Sequence, residues 1–207
     1  TKKRFQAPRR FFAALFLRHP LQRAIFAFFM QTLNRSREHK LRLTLFLALP
    51  LGILFSQMVF GGWRRDAGPG FLEALLVVLP LDIHLFLLLG LRQAITFPLM
   101  LPANFVFRVS EVRELRHYQA GLRKALIASA ILPPLLIFLP IFLFCWQWRL
   151  AALHALFCLM IALLLLEACF FGFRRVPFAA EHAPGKWKLR YYWPALLMGG
   201  YLYHSFL

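Results

Sequence analysis

The stretch that decides the fold is 126–171, LIASAILPPLLIFLPIFLFCWQWRLAALHALFCLMIALLLLEACFF. It holds two apolar runs, 126–146 and 150–171, on either side of the short polar segment 147–149. Each run has the length of about 20 residues that an α-helix needs to cross the hydrocarbon core of a bilayer. Because so few residues join them, the two runs are predicted to form an antiparallel hairpin of membrane-spanning helices.

The composition of the whole chain places it in the same class. Of its 207 residues 60% are apolar and 24 are Phe, which is too apolar for a soluble domain with a polar surface. The 3 cysteines all lie inside apolar stretches and show no CxxC spacing, so neither a zinc site nor a disulfide framework is indicated. We expect them to act as small packing residues.

Hydropathy indicates three further spans, at 43–60, 71–91 and 191–207. The last is short, since its 17 residues rise only about 26 Å as a helix against a core of about 30 Å. The predicted fold is therefore all-α: one domain, a polytopic transmembrane bundle of about five spans. An odd number of spans and an apolar end, YHSFL, would also fit a piece of a longer protein.

The basic residues indicate how the spans are oriented. The net charge of +17 would suggest nucleic acid in a soluble protein, but here Lys and Arg fall between the apolar runs. Every second loop is basic: 22 of the 25 Lys and Arg residues lie in 1–42, 92–124 and 172–192. The positive-inside rule then predicts an inner (cytoplasmic) membrane protein with a cytoplasmic N-terminus and an exterior C-terminus. It also predicts contact with anionic lipid headgroups and no nucleic-acid partner.

Two basic segments have apolar residues at helical spacing and are predicted to be amphipathic interfacial helices on the cytoplasmic side. One begins at Pro20 within the basic segment 1–42, and the other covers 103–124 within the connector 92–125. Both could dock a partner or rest on anionic lipid, and the pattern leaves these alternatives open. The cations expected to make either contact are Arg35, Arg37, Arg113, Arg116 and Arg123.

Asp82 and His84 interrupt the second span, LPLDIHLFLL over 79–88. At 1.5 Å per residue, Asp82 lies close to the middle of the bilayer. An ionisable group there is costly and usually faces a bundle interior, a cavity or a partner. We expect Asp82 and His84 to make the functionally important polar contact within the membrane. Side chains two residues apart on a helix point about 200° apart, so the two do not face the same spot. A proton-responsive site and a purely structural contact both fit.

Other polar residues in the spans have simpler interpretations. Glu73 and Glu167 lie near span ends, where ion pairs with neighbouring arginines account for their presence. The neighbours of Glu167 are Arg174 and Arg175. His84 and His154 are candidate axial ligands, but their depths differ by about 14 Å, which excludes a shared haem. No cofactor or metal is predicted, with single-histidine pigment ligation as a minor alternative.

The function classes follow from what the motifs allow. The sequence contains no GxxxxGK[ST], HExxH or GxSxG, so we expect a chain without catalytic activity. The favoured prediction is an integral membrane subunit that packs with other membrane subunits into a larger complex. A surface helix ahead of the first span and an amphipathic helix between spans resemble the layout of exporter permeases that work with a separate ATPase. A lipid-acting membrane enzyme is the weakest of the three.

Overall fold

A computed structural model describes residues 19–56, 59, 70–96 and 115–171, and these are almost entirely helical. The elements in chain order are α1 Pro20–Arg35, α2 Arg37–Ser56, α3 Gly70–Thr96, α4 Leu115–Leu126, a π-helical turn Ile127–Ile131, α5 Leu132–Cys145 and α6 Trp148–Phe170. Four helical stretches in this part of the chain are long and apolar enough to cross a membrane: Arg37–Ser56, Glu73–Ile95, Arg116–Cys145 and Trp148–Phe170. They indicate a membrane-embedded protein.

The first four predicted spans are therefore confirmed as apolar helices, with shifted ends. The first begins at Arg37 instead of residue 43, so its first turns carry basic side chains. The hairpin is also confirmed, because only Trp146 and Gln147 separate α5 from α6. The predicted fifth span, 191–207, lies outside the described residues.

The amphipathic helix predicted at 103–124 is described from residue 115 onward. Residues 115–126 form α4, which runs through the π-helical turn into α5 without a break. The third span and the second half of the amphipathic segment are thus one long helix. The reason is that nothing in 115–132 stops helix formation, since the first prolines come at Pro133 and Pro134, in the first turn of α5.

The helix α3 lies at the centre of the bundle and packs against α2, α5 and α6. Its second half is buried, with Leu85, Leu88, Leu91 and Ile95 at most 1% exposed. By contrast, α2 packs mainly on α3 and exposes most of its large apolar side chains. We call the end that carries α1 and α4 the basic end and the end that carries the α5–α6 turn the hairpin end.

At the basic end, α1 and α4 pack against each other. Ile25 and Phe29 of α1 meet Tyr118 and Leu122 of α4 in the main apolar core. Between α1 and α2 the chain bends at Ser36, which leaves the helical conformation and accepts a hydrogen bond from the His39 backbone N–H, 3.4 Å away. This is the usual geometry of a serine that caps a helix.

Candidate functional site

His84 forms a bridge between two helices in the middle of the bundle. Its side chain is fully buried, with Nδ1 2.5 Å from the carbonyl oxygen of Pro80 and Nε2 3.2 Å from that of Ile131. Pro80 belongs to α3, whereas Ile131 ends the π-helical turn. Ile131 is also halfway along the span Arg116–Cys145, so the bridge lies near the midpoint of the predicted crossing.

Both helices are irregular where His84 joins them. Pro80 has no N–H to donate to the carbonyl of Leu76, one turn earlier. In the partner helix, the N–H of Leu132 donates to Ile127, five residues back, which is the π-helical pattern. Short π-helical turns occur frequently at functional sites. The bridge therefore connects two breaks in regular helix structure.

The bridge depends on the protonation of the imidazole. A neutral histidine has one N–H and donates to only one of the two carbonyl oxygens, whereas an imidazolium donates to both. Each nitrogen of His84 faces a carbonyl, and a carbonyl oxygen only accepts. Proton uptake would thus add a hydrogen bond between the two helices.

Asp82 lies on a different side of α3 from His84, as the helical spacing predicts. Its side chain is 6% exposed, and within the described residues its Oδ1 has no hydrogen-bond partner. In the same part of the chain, no hydrogen bond joins Asp82 to His84. The structure thus places a buried carboxyl beside the bridge, and the two residues do not act as a pair.

His154 belongs to a second cluster, near the hairpin end. Its ring packs edge-on against Phe142 and Trp146, at centroid distances of 4.8 and 5.2 Å, and its Nε2 lies 3.4 Å from Cys158 Sγ. The ring also lies close to the backbone carbonyl of Leu76. This is the carbonyl to which Pro80 has no N–H to donate, so His154 of α6 is placed where a replacement donor is needed.

These contacts bear on the two candidate axial ligands. Both ring nitrogens of His84 face carbonyl oxygens, so ligation by His84 would break a contact of the bridge. His154 lies near the Leu76 carbonyl, about 6 Å or one helical turn along α3 from the Pro80 carbonyl that His84 contacts. In the described residues, no group of three or more His, Cys, Asp or Glu is placed to hold a metal ion.

Among the described residues, Glu167 forms an ion pair that the sequence does not predict. Its carboxylate accepts a hydrogen bond from Arg123 of α4, 2.8 Å away, and both side chains are about half exposed. The expected partners, Arg174 and Arg175, lie outside the described residues, as do Arg64 and Arg65, the arginines that the sequence indicates as partners of the exposed Glu73. Arg123 was instead predicted to make a docking contact, and sequence distance gave no signal for its pairing with a residue 44 positions away.

The remaining predicted docking cations lie on the surface of the basic end. Arg35, Arg37 and Arg116 are exposed, and Arg113 lies outside the described residues. The apolar faces of α1 and α4 are used within the chain, because they cover one another. Sequence reasoning missed this contact, for which Gly121 in the middle of α4 was the available signal, since glycine allows close helix approach.

Comparisons with protein-family profiles, with curated proteins and with solved structures found no match for this chain.

The variant His84→Leu tests the bridge. We expect the free energy of unfolding to fall by about 1 kcal/mol, because interhelical hydrogen bonds in membranes contribute about 0.6 and at most about 1.7 kcal/mol. Titration of the detergent-solubilised protein with SDS measures this free energy of unfolding. His84→Asn, which keeps an N–H donor, should lose less; equal losses in both variants would contradict a hydrogen-bonded bridge.

Proposed function

We propose that this chain is a non-catalytic integral membrane subunit that packs into a larger membrane protein complex. The observation that carries the proposal is how the polar side chains of the described spans are used. His84 and His154 reach backbone carbonyls of neighbouring helices, and Ser129 reaches the carbonyl of Ala125. These groups stabilise the bundle instead of lining a polar path through it.

The outer surface of the bundle supports the same proposal. Large apolar side chains of α2, α5 and α6 are exposed, among them Leu45, Phe55, Leu136, Phe144 and Leu164. In a membrane such a surface contacts lipid tails or other apolar helices. The exposed arginines of the basic end suit anionic headgroups, in line with the proposed cytoplasmic position of that end.

Extraction in a mild detergent, followed by mass spectrometry of every polypeptide that migrates with the protein, tests this proposal. We expect one or more membrane proteins in fixed stoichiometry. A chain that migrates alone after extraction and after in situ cross-linking would overturn the subunit proposal.

A permease-type transport subunit that works with a separate ATPase is the second candidate. Asp82 favours it, because a buried carboxyl without a partner for Oδ1 lies beside two irregular helices near the bilayer middle. Such groups often mark substrate or proton pathways. The layout of α1 and α4 at one end also resembles that of exporter permeases.

The variant Asp82→Asn separates the two candidates, because asparagine keeps the shape of the side chain and removes its titration. A transport subunit predicts that flux in vesicles falls at least about tenfold while the complex still assembles, since a removed proton carrier acts on rate. A structural subunit predicts full assembly and unchanged flux, or weaker assembly. Ser129→Ala, which alters another polar group of the bundle, is the matched control and should leave flux unchanged.

A further inference from the structure

A cluster of polar side chains joins α1 to α4 at the basic end, and we call His19, Gln22, His117 and Lys124 the histidine cluster. The rings of His19 and His117 stack, with centroids 4.0 Å apart and planes 9° apart. Gln22 lies between two side chains of α4, its Nε2 3.3 Å from His117 Nδ1 and its Oε1 2.9 Å from Lys124 Nζ. The cluster thus joins the first turn of α1 to α4 at two levels, those of His117 and Lys124.

The donors and acceptors of this cluster are fixed by elimination. The Lys124 ammonium only donates, so the Gln22 atom that it contacts is the carbonyl oxygen. The other Gln22 atom is then the amide nitrogen, which only donates, so His117 Nδ1 must accept. His19 Nδ1 also accepts, from the backbone N–H of Leu21 at 3.4 Å. Neither Nδ1 carries a proton, so both imidazoles are neutral in this arrangement.

A proton on either ring would disrupt the contact. On His117 Nδ1 it would oppose the N–H of Gln22, and on His19 Nδ1 it would oppose the N–H of Leu21 and remove the cap of α1. Protons on both rings would place two positive charges in parallel planes 4.0 Å apart. Each change weakens the attachment of α1 to α4.

The charged side chains of α1 and α4 are all basic. Within the described residues, α1 contributes Arg23 and α4 contributes Arg116 and Lys124, and neither helix contains Asp or Glu. At the end of α3, Arg92 adds another cation, whereas Glu167 of α6 is paired with Arg123. The acidic Glu38 and the histidine His39 of α2 follow the far end of α1, about 28 Å from His19 along the chain.

We propose that the histidine cluster is a pH-sensitive latch that holds α1 on α4 while its histidines are neutral and releases α1 when they are protonated. Histidine changes its charge between about pH 5 and pH 8. The latch is closed in the upper part of this range and opens as the pH falls. The inference is independent of the proposed subunit function, because it concerns only the contact between two helices of one chain.

Distance measurement between two spin labels tests the latch in the full chain. Ala24 of α1 and Arg116 of α4 are exposed and can carry the labels once the 3 native cysteines are replaced by alanine. We expect the distance in mild detergent to lengthen by about 5 Å, one helical turn, and to broaden between pH 8 and pH 5. An unchanged distribution over this range would overturn the proposal.

The double variant His19→Asn/His117→Asn provides the decisive comparison. Asparagine keeps an acceptor oxygen for Leu21 and Gln22 but takes up no proton in this range. The variant should stay closed at both pH values, whereas His39→Asn, which changes a histidine outside the cluster, should open like the parent. Opening of the double variant at pH 5 alone would overturn the latch.

A direct measurement covers the case in which the double variant is already open at pH 8. The ¹⁵N shifts of labelled histidine report whether each Nδ1 carries a proton. In the parent chain we expect His19 and His117 to have unprotonated Nδ1 atoms at pH 8 and to gain protons together with the change in distance. Protonated Nδ1 atoms at pH 8 would overturn the proposal.

Discussion

Replacing Gly121 by leucine is expected to detach α1 from α4 and to destabilise the protein by about 3 kcal/mol or more. An added Cβ at this position would lie 3.0 Å from both Cα and O of Gln22, which are backbone atoms. A side chain can rotate away from such a contact, but a backbone segment of a packed helix can only move as a whole. Overpacking costs about 1–3 kcal/mol even where side chains adjust, so the upper end applies here.

The loss should extend beyond the steric contact. Displacing α1 separates Gln22 from His117 and Lys124, and each lost hydrogen bond contributes about 1 kcal/mol. It also uncovers Phe29, which is fully buried in the α1–α4 core. Thermal unfolding in mild detergent, followed by tryptophan fluorescence, measures the stability, and spin labels at Ala24 and Arg116 measure the separation of the helices.

Gly52→Leu is the matched control for Gly121→Leu. It makes the same change within a helix, at a position where an added Cβ meets nothing within 4 Å. Because leucine is a better helix former than glycine, this control should be neutral or slightly stabilising. If Gly121→Leu unfolds at the temperature of the control with an unchanged label distance, the close contact of α1 with α4 is refuted.

How far sequence reasoning reached depends on what each pattern encodes. The runs 71–91 and 150–171 were long, apolar and bounded by basic loops, and the structure has them as α3 and α6 with ends shifted by a few residues. Such runs identify a span because the bilayer sets its length and composition. The depth of Asp82 in the bilayer is inferred from the same rise per residue and stays a prediction, whereas the structure shows that His84 contacts the helix Arg116–Cys145 near its midpoint.

The packing of α1 on α4 could not be predicted in the same way. An amphipathic pattern tells which face of a helix is apolar, but lipid, a partner and another helix of the same chain all satisfy that face equally well. For the same reason the residues of the histidine cluster looked unrelated, since His19 and His117 are almost 100 positions apart in the chain. Their relation requires the register of two helices, which periodicity does not contain.

The sequence likewise does not identify the hydrogen-bond and ion-pair partners of polar groups in the bundle. Pro80 has no N–H to donate to the carbonyl of Leu76, and only the tertiary structure places His154 of α6 near that carbonyl. For Glu167 the sequence indicates the nearest arginines, and among the described residues the structure adds a pair with Arg123, 44 positions away. Proximity in the chain is a poor guide in a bundle, because antiparallel helices bring distant residues to one level.

The second large effect is expected for Gly90→Leu, which should push α2 away from α3. An added Cβ at Gly90 would lie 2.9 Å from the Cβ of Phe46 and 3.3 Å from a methyl group of Leu43. We expect a loss of about 2–3 kcal/mol in the free energy of unfolding, as for other overpacked sites. The effect is large because α3 is the main neighbour of α2 among the described helices.

Unlike Gly121, Gly90 faces a side chain, so a second substitution should restore the fit. In Gly90→Leu/Phe46→Gly the leucine occupies the space of the whole phenylalanine side chain, including the Cβ that would lie 2.9 Å from the added Cβ. The double variant should therefore be less destabilised than the sum of the two single variants by at least about 1 kcal/mol, since residues in contact are coupled by about 0.5–3 kcal/mol. SDS titration of the four proteins measures this coupling. Strict additivity would mean that Gly90 and Phe46 do not meet, and that α2 is held to the bundle by another face.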